Sequence, residues 1–423
     1  MPKTLAQWLE HLETLHPVGI EMGLDRVSQV AKRMGLAQRP IAKRVISVAG
    51  TNGKGSTLAM IDGVARAHGQ RVGTYTSPHL LDYNERVHLN GEMASDDQLV
   101  AGFEAVEHAR LESPTISLTY FEAGTLCALW CLAQKPLDLA VLEVGLGGRL
   151  DAVNIVDADV AIVTTIAQDH AGFLGTDIAQ IGREKAGIFR PGRPAVLGSL
   201  DLPDSVSAAA EALSSPVYQL GHHFRHTANP STYWRWQGYT QDGDALSLDD
   251  LPDSGLPIDN AATALQALAL SGLVLAAEPT RDALANVVVP GRMQWLGQWC
   301  LDVGHNPHAA DYVARHLPEV SPGAIQWGLI GMLNDKDADG VIAALSSRIS
   351  HWVCVSLGGE RGRAADELAQ RIAAHGGRVH HCAATPSAGA DWLASRLGPD
   401  DRVLATGSFF TVAALLAQPL PQA

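Results

Sequence analysis

The most chemically pointed stretch of the chain is Val45 to Met60, VISVAGTNGKGSTLAM. A phosphate-binding loop needs backbone N–H groups free at a helix start, glycines that turn those amides inward, and a lysine within reach. Gly50, Gly53 and Gly55 with Lys54 supply these, and Ser56 and Thr57 open a helix with Leu58, Ile61, Val64 and Ala65 on one face. The common spacing G-x-x-x-x-G-K-[ST] is nevertheless broken. Val48 stands where the first glycine belongs, and Gly55 where a hydroxyl residue should follow Lys54. The inserted Gly55 moves the metal-side hydroxyl one residue along, to Ser56 or Thr57.

Other chemistry-bearing residues fall at the ends of apolar runs. Glu143 lies in VLEVGLGGRLDA, where a carboxylate among apolar residues is costly unless paired or metal-bound. TTIAQDH places Asp169 and His170 at the end of the next run. A carboxylate and an imidazole on neighbouring strand ends beside a phosphate loop suggest a magnesium site, and Ser77 in TYTSPHLLDYNERV offers it a hydroxyl. Pro78 and His79 fit a plain turn equally well. Lys185 in REKAGIF reads by itself as a helix-surface lysine. Further on, Arg292 could reach phosphates, and the free amides of TGSFFTVAALL could take a carboxylate.

These residues need a scaffold, and the pattern around them provides one. Residues 1–40 read as two helices. From residue 45, apolar runs (RVISVAG, RVGTYTS, DLAVLEVGLGG, ADVAIVTTIA, RPAVLGS) alternate with helical stretches, which predicts a parallel sheet covered on both faces. STYWRWQGYTQDGDALSL alternates aromatic and polar residues and predicts a small antiparallel annex. Pro290 and Gly291 mark a boundary, after which QWCLDVG, IQWGLIGML, HWVCVSLG and DDRVLATG repeat the strand–helix alternation. The expected fold is α/β: a P-loop parallel-sheet ATPase domain with its annex over 1–290, then a smaller Rossmann-like domain over 291–423.

Composition narrows the function. A chain of 423 residues exceeds the roughly 250 to 300 at which single cores stop growing, which implies two domains. Its 46% hydrophobic and 18% charged residues are those of a globular soluble protein, without a bilayer-length apolar run or a signal peptide at MPKTLAQWLEHLETL. The net charge of −14 argues against nucleic acid and anionic membranes as partners. Five scattered cysteines form neither a zinc pattern nor a disulfide framework. A cytoplasmic location is expected.

The motifs AGTNGKGS, TSPHL, LTYFEAGTL, LEVGLGGRLDAVN, GREKAGIFR, LDVGHNPHAA, MLNDKD and TGSFFTVA occur in this order along nearly the whole chain. Together they resemble the folate-specific members of the Mur ligase superfamily. The resemblance implies a monomeric ligase of dihydropteroate, folates and L-glutamate, dependent on ATP and Mg2+ with a monovalent cation such as K+. It places Gly53, Lys54, Gly55, Ser56, Thr57, Asn260, Arg292, Asp302 and His305 on ATP, and Ser77, Glu143, His170 and a carbamylated Lys185 on the metal. Lys54, Lys185 and His170 become the catalytic group. Asp25, Arg26, Thr119, Tyr120, Phe121, Glu122, Leu150, Asp151 and Ala152 would hold the pterin, and His305 and Ser408 the glutamate. The implied reaction is attack of a pteroate or folyl carboxylate on the γ-phosphorus, then displacement of phosphate by the glutamate amine. Gly304, where such proteins often carry Ala, and Asn334 in MLNDKD depart from the pattern without removing a functional group.

Two other readings compete. A ligase of peptidoglycan precursors usually carries a large extra N-terminal domain, whereas fewer than 50 residues precede the loop here. A nucleotide-binding regulator would fit NDKD at 334–337, but the order differs from the guanine-reading N-K-x-D and it lies far from the loop in sequence.

Overall fold

The computed structural model describes residues 4–19, 21–36, 38–228 and 233–420, so Ser231 and Thr232 of the aromatic stretch lie outside the described residues. The chain divides into two compact units, one of Met1–Ala167 and Ala171–Val287, the other of Gln168–His170 and Val288–Ala423.

The first unit is built on eight strands: β1 (Arg44–Ala49), β2 (Val72–Tyr75), β3 (Val87–Leu89), β4 (Glu92–Met93), β5 (Leu139–Glu143), β6 (Val160–Val163), β7 (Ala195–Leu197) and β8 (Val217–Gln219). Their order is β4-β3-β2-β5-β1-β6-β7-β8. The run from β2 to β8 is parallel, and its central strands β1, β5 and β6 are buried almost throughout, as continuous apolar runs require. Parallel pairing brings the carboxyl ends of β1 and β5 to one edge, with Val48 opposite Glu143. β3 and β4 make the sheet mixed rather than purely parallel, since each is antiparallel to its neighbour. Their hairpin turns at Asn90-Gly91, both at positive φ (58° and 88°), the geometry that this dipeptide favours. Strands of two and three residues are too short to show a period, which hid them in the sequence.

The helix Lys54–Ala67 follows the glycine loop and buries Met60, Ile61 and Val64. Against it packs the helix Ile258–Leu270, buried from Asn260 to its end, which is why its alanine-rich sequence has no polar face. The annex is a three-stranded antiparallel sheet of β9 (Arg225–Ala228), β10 (Tyr233–Tyr239) and β11 (Ala245–Pro252), with β10 central. β10 turns Trp234, Trp236 and Gly238 inward. It docks on the helix Ile258–Leu270 through Trp236 Nε1, which donates to the Ala262 carbonyl at 3.1 Å. Gln266 completes the joint: its Oε1 accepts from Tyr239 N at 3.1 Å and its Nε2 donates to Tyr239 O at 2.8 Å.

The second unit carries six strands, β12 (Gln294–Leu296), β13 (Trp299–Leu301), β14 (Gln326–Ile330), β15 (His351–Val355), β16 (Arg378–Ala383) and β17 (Arg402–Thr406). In the order β12-β13-β17-β14-β15-β16 all are parallel except the edge strand β12. The fold is α/β in both units. No helix among the described residues is long and apolar enough to cross a membrane.

Gln266 is fully buried and serves both polar groups of one backbone unit. Replacing it with Leu, which keeps volume but removes both bonds, is expected to destabilise the protein by about 2 kcal/mol. A lowered urea midpoint at unchanged slope would show this.

Candidate active site

The loop between β1 and the helix Lys54–Ala67 is shaped by close approaches that exclude side chains. A Cβ on Gly50 (φ 152°) would sit 1.8 Å from Thr164 Oγ1. Gly53 caps the helix at φ 86°, and a Cβ there would meet Asn260 Oδ1 at 2.8 Å. The segment after β6 clamps the loop: Thr51 N donates to Thr165 O at 2.7 Å, Asn52 N to Thr165 Oγ1 at 3.0 Å, and Thr164 Oγ1 to Asn52 O at 2.7 Å. No side chain caps this helix start, so its amides face outward as an anion site needs. Lys54 Nζ folds back to the carbonyls of Gly50 and Thr51, at 3.0 and 3.2 Å.

Sequence spacing left Ser56 and Thr57 equivalent, and the structure separates them. Ser56 Oγ donates to Gly53 O at 3.3 Å and accepts from Asn260 Nδ2 at 3.0 Å. Thr57 Oγ1 is buried with no hydrogen-bond partner among the described residues. A buried hydroxyl without a partner is uncommon, and here it marks a place for a ligand oxygen or cation.

Glu143 ends β5, 5% exposed, and its Oε2 accepts from Ser77 N at 3.2 Å. The same oxygen lies 4.0 Å from where a Gly55 Cβ would stand, so the inserted glycine and the buried carboxylate are neighbours. Lys185 is not the surface residue its sequence suggested. It is 6% exposed on the helix Ile178–Ala186, and its Nζ donates to Gly50 O at 3.0 Å. Gly148 packs so closely that its Cβ would fall 2.7 Å from Lys185 O. Thus β1, β5 and a distant helix bring the loop, a carboxylate and an amine together.

Next to this lies the group expected to hold a pterin. Arg26 Nη2 donates to the buried Glu122 Oε1 at 3.0 Å. Thr119 and Glu122 form a capping box at the start of the helix Tyr120–Ala133, leaving Tyr120 and Phe121 half-buried. Gly23 N donates to Leu150 O at 3.3 Å, and the Phe121 ring lies 2.5 Å from where a Cβ on Gly145 would be. Asp151 accepts from Leu146 N and Val153 N at 2.8 and 2.9 Å, and burial pushes its carboxyl up to about 6. Ala152 is buried behind it, whereas Asp25 is exposed at its helix start.

Two residues that sequence reading passed over belong here. His79 is more than turn filler: its Nδ1 accepts from Arg86 Nε at 2.8 Å. Arg86 lies over the rings of Tyr83 and Tyr120, 5.2 and 5.9 Å from their centroids. Arg86 carries no sequence signal beyond a charge beside aromatic residues.

In the second unit, Asp169 gathers a lysine and two histidines. Lys336 Nζ lies at 2.5 Å, His305 Nε2 at 3.4 Å and His170 Nε2 at 3.8 Å. Burial raises the Asp169 pKa, but His305, His170 and Lys336 outweigh it and hold the carboxyl well below the usual carboxylate range. Asp169 and His170 were expected at a strand end, but β6 stops at Val163 and residues 168–170 leave with the second unit. Asp302 accepts from Met293 N and Gly304 N at 2.9 and 2.7 Å, and burial raises its pKa. Arg292 lies 5.4 Å over the Phe409 ring, and His305 packs 6.1 Å from the same ring. Ser408 caps the helix Phe409–Leu416 by accepting from Phe410 N at 3.1 Å.

Among the described residues no three His, Cys, Asp or Glu side chains gather as a metal site. A cation at the loop would draw on Glu143, on hydroxyls such as those of Thr57 and Ser77, and on nucleotide phosphates. That oxygen-rich, protein-poor set suits Mg2+.

A phosphate loop on a parallel sheet, followed by a separate α/β unit with its own polar strand ends, is the architecture of an ATP-dependent ligase. The family model described as "Mur ligase middle domain" matches residues 48–242, and "Mur ligase, glutamate ligase domain" matches 291–409. The dihydrofolate synthase/folylpolyglutamate synthase of Escherichia coli K12 is 42% identical over 412 residues, covering 97% of this chain and 94% of that protein. Among solved structures, E. coli FolC in complex with DHPP and ADP superposes with a TM-score of 0.91 at 41% identity, over 99% of this chain and 98% of that one. The Yersinia pestis bifunctional folylpolyglutamate synthase/dihydrofolate synthase complexed with AMPPNP and Mn ion gives 0.90 at 42%, over 99% of each. The chain belongs to the Mur ligase family, in its dihydrofolate synthase/folylpolyglutamate synthase group. It is an ATP-dependent ligase that forms an amide between a carboxylate and an amine.

Asp151 supplies a pH test of this site. Its folded pKa of about 6 lies above the ordinary 3.8, so the unfolded chain releases this proton first. Its contribution is therefore a loss of stability as pH rises from about 4 to about 6. The stability of the native protein relative to Asp151→Asn should fall by on the order of 3 kcal/mol across that window, measured by urea unfolding at each pH.

Proposed function

We propose that the enzyme adds L-glutamate both to dihydropteroate, forming dihydrofolate, and to reduced folates, extending their glutamate chain, at the site around Gly50. The observation that carries this reading is the convergence of Lys54, Thr57, Glu143 and Lys185 on one loop, with the Arg26–Glu122 and Asp151 group in the same unit. The relatives named for both activities are 42% identical to this chain over 97% and 99% of its length.

A carboxylate and an amine do not condense in water, so the acid must first acquire a leaving group. The pterin substrate, held by Arg26, Tyr120, Phe121, Glu122 and the 150–152 turn, presents its carboxylate to the γ-phosphorus of ATP. A carboxylate oxygen bonds to phosphorus as the bond to the β-phosphate oxygen breaks, giving an acyl phosphate and ADP. The loop amides and Lys54 stabilise charge on the transferred phosphoryl. The glutamate amine, as the free base, then attacks the acyl carbon, and phosphate leaves from the tetrahedral intermediate. His305 and Ser408 hold this glutamate, and Asn260, Arg292, Asp302 and His305 serve the nucleotide.

Ser77, Glu143 and His170 would hold Mg2+, which when bound neutralises phosphate charge, with a monovalent cation such as K+ beside it. An ammonium has no lone pair to give a metal, so Lys185 joins this set only as a carbamate, formed from its free amine and CO2 with loss of a proton. Burial beside a carbonyl and a carboxylate makes such a change from cation to anion consequential. We read the protein as a cytoplasmic monomer, a reading supported by thiols with no disulfide among them.

ADP release should require dihydropteroate or a tetrahydrofolate, together with glutamate, ATP and magnesium. ATP hydrolysis indifferent to the carboxylate acceptor would remove the ligase assignment, and activity with only one acceptor would remove the dual one. Lys185→Ala should lower turnover by roughly 100-fold or more, unrelieved by bicarbonate because no amine remains to be carbamylated. Turnover like that of the native enzyme would refute the carbamate role.

A further inference from the structure

Three arginines are buried, Arg86 (9% exposed), Arg110 (8%) and Arg363 (5%). Arg110 is paired with Glu107 and Arg363 with Glu367. Arg86 has no carboxylate partner among the described residues. Its one side-chain hydrogen bond runs from Nε to His79, and both terminal nitrogens lack an acceptor there. The adjacent Glu85 cannot serve, because its carboxylate accepts from the backbone N–H groups of Leu80, Leu81 and Asp82 at 2.7, 2.7 and 2.9 Å. These terminal nitrogens are not enclosed and still touch solvent, while stacking on Tyr83 and Tyr120 holds the guanidinium in place. The terminal nitrogens are thus held ready for an anion from outside the chain.

His79 sharpens this. Because its Nδ1 accepts from Arg86, which can only donate, the neutral ring carries its proton on Nε2. The Nε2–H points away from Arg86, so His79 orients the guanidinium through Nδ1 and leaves its terminal fork open against Tyr120. The fork matches a carboxylate, which takes two parallel hydrogen bonds from a guanidinium.

We infer that Arg86, oriented by His79, is the receptor for the reacting carboxylate of the pterin substrate. This rests on the ligase reading above and extends it by naming the groups that meet the substrate's acidic end. Dihydropteroate has a single carboxylate, so a receptor for the reacting group must serve both acceptors. A reader of the α-carboxylate of folates would serve only the second.

The test compares binding of dihydropteroate with that of its carboxamide analogue, by calorimetry on the full-length enzyme. Native enzyme should prefer the carboxylate by roughly 30-fold, Arg86→Gln should reduce this to about threefold or less, and His79→Phe should cost an intermediate factor. The KM for ATP should stay within about twofold in both variants, and turnover should fall with dihydropteroate and with a tetrahydrofolate alike. A merely structural Arg86 would weaken both ligands equally and keep the preference, which overturns the inference. Loss confined to the tetrahydrofolate also overturns it, in favour of an α-carboxylate reader. If Arg86→Gln does not fold, Arg86→Lys decides: the lysine keeps the charge but not the fork, and an undiminished preference refutes the receptor. Native enzyme that binds neither ligand overturns the functional reading together with this one. Intact binding with preference retained in the variants overturns this one alone.

Discussion

Gly50 can carry no side chain, because the space its Cβ would need is occupied by Thr164. This one steric fact lets the end of β1 lie against the segment after β6, and much of the site follows. Thr164 and Thr165 hold the loop, and the Gly50 carbonyl becomes the meeting point of Lys54 and Lys185. Lys54 brings positive charge to the end of a buried strand in a chain whose net charge is −14. An acidic protein thereby makes a local place for phosphate.

The inserted Gly55 has a related role. With Ser or Thr at that position, the hydroxyl would follow Lys54 directly and a Cβ would point toward Glu143. The glycine keeps that space open and passes the hydroxyl role to the next turn, where Ser56 is engaged by Asn260 and Thr57 is left without a partner. The departure from the common loop spacing thus falls beside a buried carboxylate. Asn260 in turn ties the loop to a helix that carries the annex, so the aromatic hairpin is coupled to the nucleotide end through Ile258–Leu270. In the second unit, Asn306 and Ser408 cap helices that follow strand ends, while Asp169 collects Lys336, His170 and His305 into a compact polar cluster.

Much of this was legible in the chain itself. Continuous apolar runs announced the buried parallel strands, and the glycine loop announced phosphate, because both depend on neighbours in sequence. Motif order along nearly the whole length identified the ligase family. The mixed edge of the first sheet was missed because β3 and β4 are too short for a period, although Asn90-Gly91 is a hairpin signal in plain view. A cut at a proline and glycine could not show that Gln168–His170 group with residues far downstream, among them Lys336, which pairs with Asp169 across 167 positions.

By itself the sequence determined the α/β class, the phosphate loop, the acidic, thiol-poor character and the family, all of which rest on local spacing or composition. Tertiary structure alone decided which similar residues differ in role. Lys185 reads as a surface lysine until a helix from elsewhere buries it on Gly50. Thr57 and Ser56 are alike until Asn260, some 204 residues away, occupies one of them. Arg86 is one arginine among many until the fold stacks it on two tyrosines without a carboxylate, while Arg110 and Arg363 receive theirs. The physical reason is common to all three: a polar group's chemistry is set by what desolvates it and what it is paired with, and both are supplied by segments distant in the chain.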